Sequence, residues 1–224
     1  MSERARLPFH DRTDAGRRLA AALAPYRHED CLILALPRGG VPVAVEVAEA
    51  LAAPLDLLLV RKIGAPWHPE FAIGAVIDGV APIVVRNDEA LRHSGTSEHD
   101  FQAICARELK EIERRRRVYL QGRQALDPRG RVAIVIDDGI ATGATIKAAL
   151  RAVRKRDPKK LILAVPVAPS EALAELRMEV DEIVCLATPR PFGAVGYFYD
   201  DFDQVTDAEV ISILSRHHGV AEKA

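Results

Sequence analysis

Apolar positions along the chain fall into short unbroken runs separated by stretches of helical period. Cys31 to Leu36, Leu55 to Val60, Val132 to Ile136, Leu161 to Val167 and Glu182 to Leu186 are compact apolar runs. Runs of that length, rich in β-branched residues, suit strands buried on both faces. Between them the pattern changes. In residues 11–24, Leu19, Ala20 and Leu23 recur at helical spacing, with Asp11, Thr13 or Asp14 as the cap. Val41 to Leu51, Ile146 to Arg151, Glu171 to Arg177 and Asp207 to His217 read as further helices. Ser97 to Leu120 reads as a long one, with Phe101, Ile104, Cys105, Ile112 and Tyr119 on one stripe. Strand and helix alternate, which predicts an α/β fold: one parallel sheet with helices on both faces.

Residues 65–130 are the least regular part. Ala65 to Glu70 is a loop with two prolines. Phe71 to Ile77 and Pro82 to Val85 flank Asp78-Gly79-Val80-Ala81 and predict a β-hairpin. A hairpin hung between two core strands would project as a mobile flap. Trp67 and Glu70 lie in its loop, although a lone Trp is more often packing than chemistry.

Composition narrows the class. The chain has 224 residues, 49% of them hydrophobic, enough for a sizeable core in one domain over 1–224. The net charge of −1 gives no global attraction to nucleic acid or acidic membranes. Arg114 to Arg117 form a basic run, but Glu111 and Glu113 stand four residues before Arg115 and Arg117. Pairs at that spacing predict a solvated, self-neutralised face. Cys31, Cys105 and Cys185 have no metal or redox spacing, which predicts reduced thiols and a cytoplasmic setting. No apolar run is long enough to span a bilayer, and the charged start from Glu3 lacks the apolar core of a signal peptide. His68, His93 and His99 share no ligand spacing, so no protein-built metal site is expected.

The chemistry concentrates at two strand–loop–helix joints. After Val132–Ile136 come Asp137 and Asp138, then the small-residue loop Gly139 to Thr145. Gly139 and Gly143 permit φ > 0 and close approach to a ligand. Loop amides and a helix N-terminus present N–H groups to an anion, with Thr142 and Thr145 adding hydroxyls. Neither the P-loop string nor the dinucleotide fingerprint occurs. A plain joint with an Asp cap would need only one of these acids. The second joint is Leu36-Pro37-Arg38-Gly39-Gly40, where two glycine amides and a guanidinium can meet an anion. Arg61 and Lys62 follow the second strand. Phe192, Tyr197, Phe198, Tyr199 and Phe202 gather after the last strand, either to stack on a flat base or to cap the sheet.

The window from Val132 to Thr145 resembles the signature of the type I phosphoribosyltransferases: an apolar strand, two acids and a Thr-Gly-x-Thr loop. That family binds 5-phospho-α-D-ribose 1-diphosphate (PRPP). The resemblance implies that Asp137 and Asp138 are catalytic and take the ribose 3′- and 2′-hydroxyls. It implies that Gly139, Ala141, Thr142, Gly143, Ala144 and Thr145 hold the 5′-phosphate. Arg38, Gly39, Gly40 and Lys62 would bind the diphosphate, and Phe192 and Tyr197 would line the acceptor pocket. Residues 65–130 would be the flap hairpin and long-helix insertion, and 187–206 a small hood. Mg²⁺ would arrive mainly with PRPP and water. The implied reaction is transfer of 5-phosphoribosyl to a nitrogen acceptor, a nucleobase, with loss of pyrophosphate. The implied partners are PRPP, a small-molecule acceptor and a second copy of the chain, with no membrane and no nucleic acid.

Two alternatives stay open at this point. One is a PRPP- or nucleotide-binding regulator of the same fold that contacts nucleic acid through Arg114–Arg117. The other is a hydrolase of PRPP or a related phosphosugar. Fold alone does not separate them.

Overall fold

The computed structural model describes residues 7–79 and 81–221. Val80, in the predicted hairpin turn, lies outside the described residues. Five parallel strands form the main sheet: β1 (Cys31–Ala35), β2 (Leu55–Leu57), β6 (Val132–Ile136), β7 (Lys160–Val167) and β8 (Glu182–Ala187), in the order β2-β1-β6-β7-β8. Three antiparallel strands form a second sheet: β3 (Val60–Ala65), β4 (His68–Ile77) and β5 (Ile83–Arg86).

Side-chain alternation divides the main sheet between two cores. Ile33, Ala35, Ile134, Ile136, Ile162 and Ala164 face α1 (Arg12–Ala22), α2 (Gly40–Leu51) and α7 (Asp207–Ala221). Leu34, Val135 and Leu163 face α5 (Ala144–Arg154) and α6 (Ser170–Leu176). Both faces are covered, so the strands read as continuous apolar runs rather than alternating ones.

The chain leaves β1 for β2 on one side, while β6 leads to β7 on the other. Where strand order diverges in this way, the C-terminal ends of the two adjacent strands border a crevice. Ala35 pairs with Ile136, and the Leu36 amide donates to the Ile136 carbonyl at 2.9 Å. The loops after β1 and β6 therefore start side by side.

Several expectations are corrected. Leu55 to Val60 is not one strand: β2 stops at Leu57, and β3 starts a different sheet at Val60. The predicted hairpin is present as the antiparallel pair β4–β5, but β3 joins it in a three-stranded meander that does not project as a whole. Ile63, Ile73, Val76 and Ile77 are fully buried in it, packed between α4 (Glu98–Leu120) and α5. Only its β3–β4 tip stands out, where Trp67 is 87% exposed. A short helix, α3 (Asp88–Ser94), precedes α4 and was not foreseen; Asn87 caps it and Gly95 ends it at φ +64°.

The arginine run is not one solvated face. Arg114 and Arg115 both grip Glu111, but Arg116 turns inward onto Asp78, with Asp56 3.8 Å away. Asp56 and Asp78 are buried. Glu113 and Arg117 do not pair among the described residues. No helix among the described residues is long and apolar enough to cross a membrane. Cys31, Cys105 and Cys185 are free thiols, and burial pushes Cys185 up to about 11.

Candidate active site

Asp137 and Asp138 sit at the end of β6, on the floor of the crevice. Their side chains diverge. Asp138 points toward α1: Arg12 Nε donates to Asp138 Oδ2 at 2.8 Å, and both side chains are largely shielded from solvent. Asp137 stays under the loop after β1, and its Oδ1 accepts from the Asp138 amide at 2.9 Å. The Asp137 residue is only half-buried, but its carboxyl is desolvated and adjoins Asp138. Both causes raise its pKa well above the usual carboxylate range.

The loop after β1 presses directly on these acids. A Cβ at Gly39 would fall 2.0 Å from Asp138 Oδ2, and one at Gly40 would fall 2.7 Å from the Ile136 carbonyl oxygen. The two glycines are thus required by the acid pair itself. The Gly40 amide is not free for an anion, because it donates to the Leu36 carbonyl at 3.0 Å. The Pro37–Arg38 peptide is cis. Arg38 lines a cavity of about 460 Å³ with Arg12, Gly39 and Asp138. Its guanidinium lies 3.5 Å from Asp207, whose Oδ1 also accepts from the Tyr119 hydroxyl at 2.7 Å. Burial, then the Asp207 carboxylate, pushes Tyr119 up to about 12.

Lys62 stands apart from that loop. Its Nζ pairs with Glu70 at 2.8 Å, and it lines a cleft with Ala144, Thr145 and Lys147 between the second sheet and α5. Its neighbour Arg61 shares the small cavity that holds Pro37 and Asp137. Alternation along β3 sends the two cations to opposite faces, and the structure brings Arg61, rather than Lys62, to the loop after β1.

The loop after the acids ends in Gly143 at φ +77°, which starts α5 without any side-chain cap. Ala141, Thr142, Ala144 and Thr145 are exposed there. The helix therefore presents uncapped N–H groups and its positive end beside the acids. Gly139 makes no use of the positive φ that glycine permits; a Cβ there would strike Val195 at 2.4 Å.

The aromatic segment closes over this edge. Phe9 pairs with Tyr199 as an isolated bridge, with ring centroids 5.3 Å apart, and the Tyr199 hydroxyl donates to the Asp138 carbonyl at 2.6 Å. Phe192 packs on Phe198 at 5.0 Å and borders a cavity with Ala141 and Thr142 of the loop. Tyr197 is 78% exposed with its ring against Gly193. Most of the cluster caps the sheet, and Phe192 alone of the two acceptor candidates borders the loop after the acids.

Among the described residues no three Asp, Glu, His or Cys side chains gather as a metal cluster. The acids beside the crevice offer one or two hard carboxylate oxygens. That set fits a Mg²⁺ ion that keeps waters and shares phosphate oxygens.

Arg12 and Asp207 carry no sequence signal for the site, and Tyr199, one of the aromatic cluster, meets Asp138 only through the fold. Arg12 lies 126 residues from Asp138, and only the fold joins them. Its guanidinium also stacks 3.8 Å over Phe202 and donates to the Asp203 carbonyl at 2.8 Å. Tyr199 and Asp207 are likewise brought in by the closing segment.

Residues 9–201 match the family model described as a phosphoribosyl transferase domain. Over 210 residues the chain is 46% identical to "Putative phosphoribosyl transferase Rv0571c" of Mycobacterium tuberculosis (strain ATCC 25618 / H37Rv) and to MT0597 of strain CDC 1551 / Oshkosh. Those matches cover 94% of this chain and 47% of each relative, so the chain spans about half the length of the curated relatives it matches. Among solved structures, TT1426 of Thermus thermophilus is 43% identical with a TM-score of 0.82, covering 94% of this chain and 99% of that one.

Proposed function

The chain belongs to the phosphoribosyl transferase family, and from that premise we propose that it transfers a 5-phosphoribosyl group from PRPP to a nucleobase nitrogen, releasing pyrophosphate. One observation carries the reading: the glycine loop after β1 and the acid pair after β6 touch, with room at Gly39 for no side chain. A ligand lying across that joint meets an anion-binding loop at each end and carboxylates in the middle.

In this reading the N-terminus of α5 holds the 5′-phosphate. Asp137 and Asp138 receive the ribose hydroxyls. The acceptor nitrogen attacks C1, the C1–oxygen bond breaks, and its electron pair leaves with pyrophosphate. Positive charge grows on the ribose, and the fixed carboxylates stabilise it. Arg38 and the Gly39 amide meet the leaving group. Asp137 or Asp138 would hold a Mg²⁺ ion brought with PRPP, which would supply partial neutralisation of the diphosphate charge. The closing segment, with Tyr199 on Asp138 and Phe192 beside the loop, excludes water from the reacting carbon. The partners are PRPP, the acceptor and a second copy of the chain.

The nucleic-acid alternative is less favoured, since Arg114 is held by Glu111 through two nitrogens and Arg116 is turned inward, which breaks up the basic run. A panel of nucleobases with PRPP and Mg²⁺, scored by pyrophosphate release, tests the proposal. One base should raise release far above the rate with water alone. Equal release with and without every base would favour the hydrolase instead.

A further inference from the structure

The four-arginine run on α4 supplies a residue that the mechanism above does not use. Its second member, Arg115, does not lie on open surface. It lines a small cavity of about 80 Å³ together with Pro37, Arg61, Asp137 and Thr145. That cavity sits over the C-terminal ends of β1 and β2, between the loop after β1 and the start of α5.

The two guanidiniums there are held differently. Arg61 gives both Nε and Nη2 to Glu108 at 2.8 Å, so its fork is occupied by a buried carboxylate. Arg115 gives only Nε, to Glu111 Oε1 at 2.9 Å. Neither of its terminal nitrogens has a partner among the described residues. Glu111 therefore anchors the side chain and leaves its two outer nitrogens to a ligand. A second contact ties α4 to the same loop: Tyr119, one turn further on, donates to Asp207, which faces Arg38. Arg38 and Arg115 thus flank the loop after β1 from two sides. The only acid on the cavity wall is Asp137.

We propose that Arg115 binds the leaving diphosphate of PRPP, reaching it from α4 through its free terminal nitrogens. This rests on the phosphoribosyltransferase reading. An anion lodged there meets a permanent cation in a fork geometry, anchored from behind by Glu111, so that its contacts are charge-assisted hydrogen bonds. Arg114 also grips Glu111 but is among neither the loop nor the cavity residues. It serves as the neighbouring control.

The test is calorimetric binding of inorganic pyrophosphate with Mg²⁺, and separately of ribose 5-phosphate, to the wild type, Arg115→Gln, Arg115→Lys and Arg114→Gln. Pyrophosphate affinity should fall about tenfold or more in Arg115→Gln. Arg115→Lys should lose part of it, and Arg114→Gln none. Ribose 5-phosphate should bind all four alike, because it lacks the diphosphate. If Arg115→Gln does not fold, Arg115→Lys against Arg114→Gln carries the comparison. Wild-type pyrophosphate affinity in the Arg115 variants overturns the inference and leaves the transferase reading standing. Equal loss of both ligands also overturns it, since Arg115 would then be supporting the fold. A wild type that binds neither ligand overturns the transferase reading itself, and this inference with it.

Discussion

Gly39→Ala and Gly40→Ala should fail in different ways, although the residues are neighbours. Gly39 has φ −61° and ψ −35°, a conformation that alanine adopts without strain. Its new methyl would fall 2.0 Å from Asp138 Oδ2, whereas ordinary contact begins near 3.4 Å, so that oxygen must retreat by about 1.4 Å. The same oxygen accepts from Arg12 at 2.8 Å, and a shift of that size takes the bond out of range. A misplacement of about 1 Å in a positioned group can cost on the order of 10² in rate. The fold should lose less than at Gly40, because the carboxylate can swing into the adjoining solvent cavity and the lost glycine freedom returns roughly 0.4–1 kcal/mol. At Gly40 the obstacle is backbone: the Ile136 carbonyl oxygen at 2.7 Å and Asp137 Cα at 3.0 Å. A buried strand end cannot move aside, so overpacking should cost about 1–3 kcal/mol. At roughly 2–4 °C per kcal/mol for a chain this size, Tm should drop by several degrees. Thermal unfolding, paired with kcat/KM for pyrophosphate release, reads both axes. The reasoning fails if Gly39→Ala is destabilised as much as Gly40→Ala, or if Gly39→Ala keeps wild-type kcat/KM.

Asp137→Asn and Asp138→Asn should lower kcat and kcat/KM together, by about 10²–10³, whereas Thr145→Val should mainly raise the KM for PRPP; steady-state kinetics with folding checked by circular dichroism separates them. Asp137 is protonated below its raised pKa, so affinity for PRPP with Mg²⁺ should weaken as pH falls through that value and level off above it; calorimetry at several pH values should show this dependence vanish in Asp137→Asn. Arg116→Met strips the ion-pair partner from the buried Asp78 carboxylate and should cost about 3–5 kcal/mol by denaturant unfolding, with the double variant Arg116→Met/Asp78→Asn recovering much of it.

The main sheet was legible because Val132–Ile136 and its neighbours are buried on both faces, which leaves an unbroken apolar run in the sequence. The break between β2 and β3 was not. Leu58 and Leu59 are as buried as the strand they follow, so no polar or glycine signal marks the change of sheet. The inward turn of Arg116 was readable in principle. It stands four residues after Ile112 and three before Tyr119, on the buried stripe of α4, and spacing outweighs charge there. Asn87 and Gly95 likewise bracket α3 with an N-cap and a left-handed C-cap. Asp137, Asp138 and the loop to Thr145 lie within one short window and could be picked out together. Arg12, Tyr199 and Asp207 could not, because their partners lie far along the chain and only folding joins them.

The central claim is that the joint between the loop after β1 and the acids after β6 binds PRPP. A thermal-shift titration with PRPP and Mg²⁺ tests it most directly, with inorganic phosphate and unrelated phosphate esters in parallel. At about a hundred times its Kd, PRPP should add roughly 2.7 kcal/mol of stability, and the shift should shrink when Mg²⁺ is removed. No response to PRPP with Mg²⁺, alongside a clear response to the other phosphate ligands, would contradict the account.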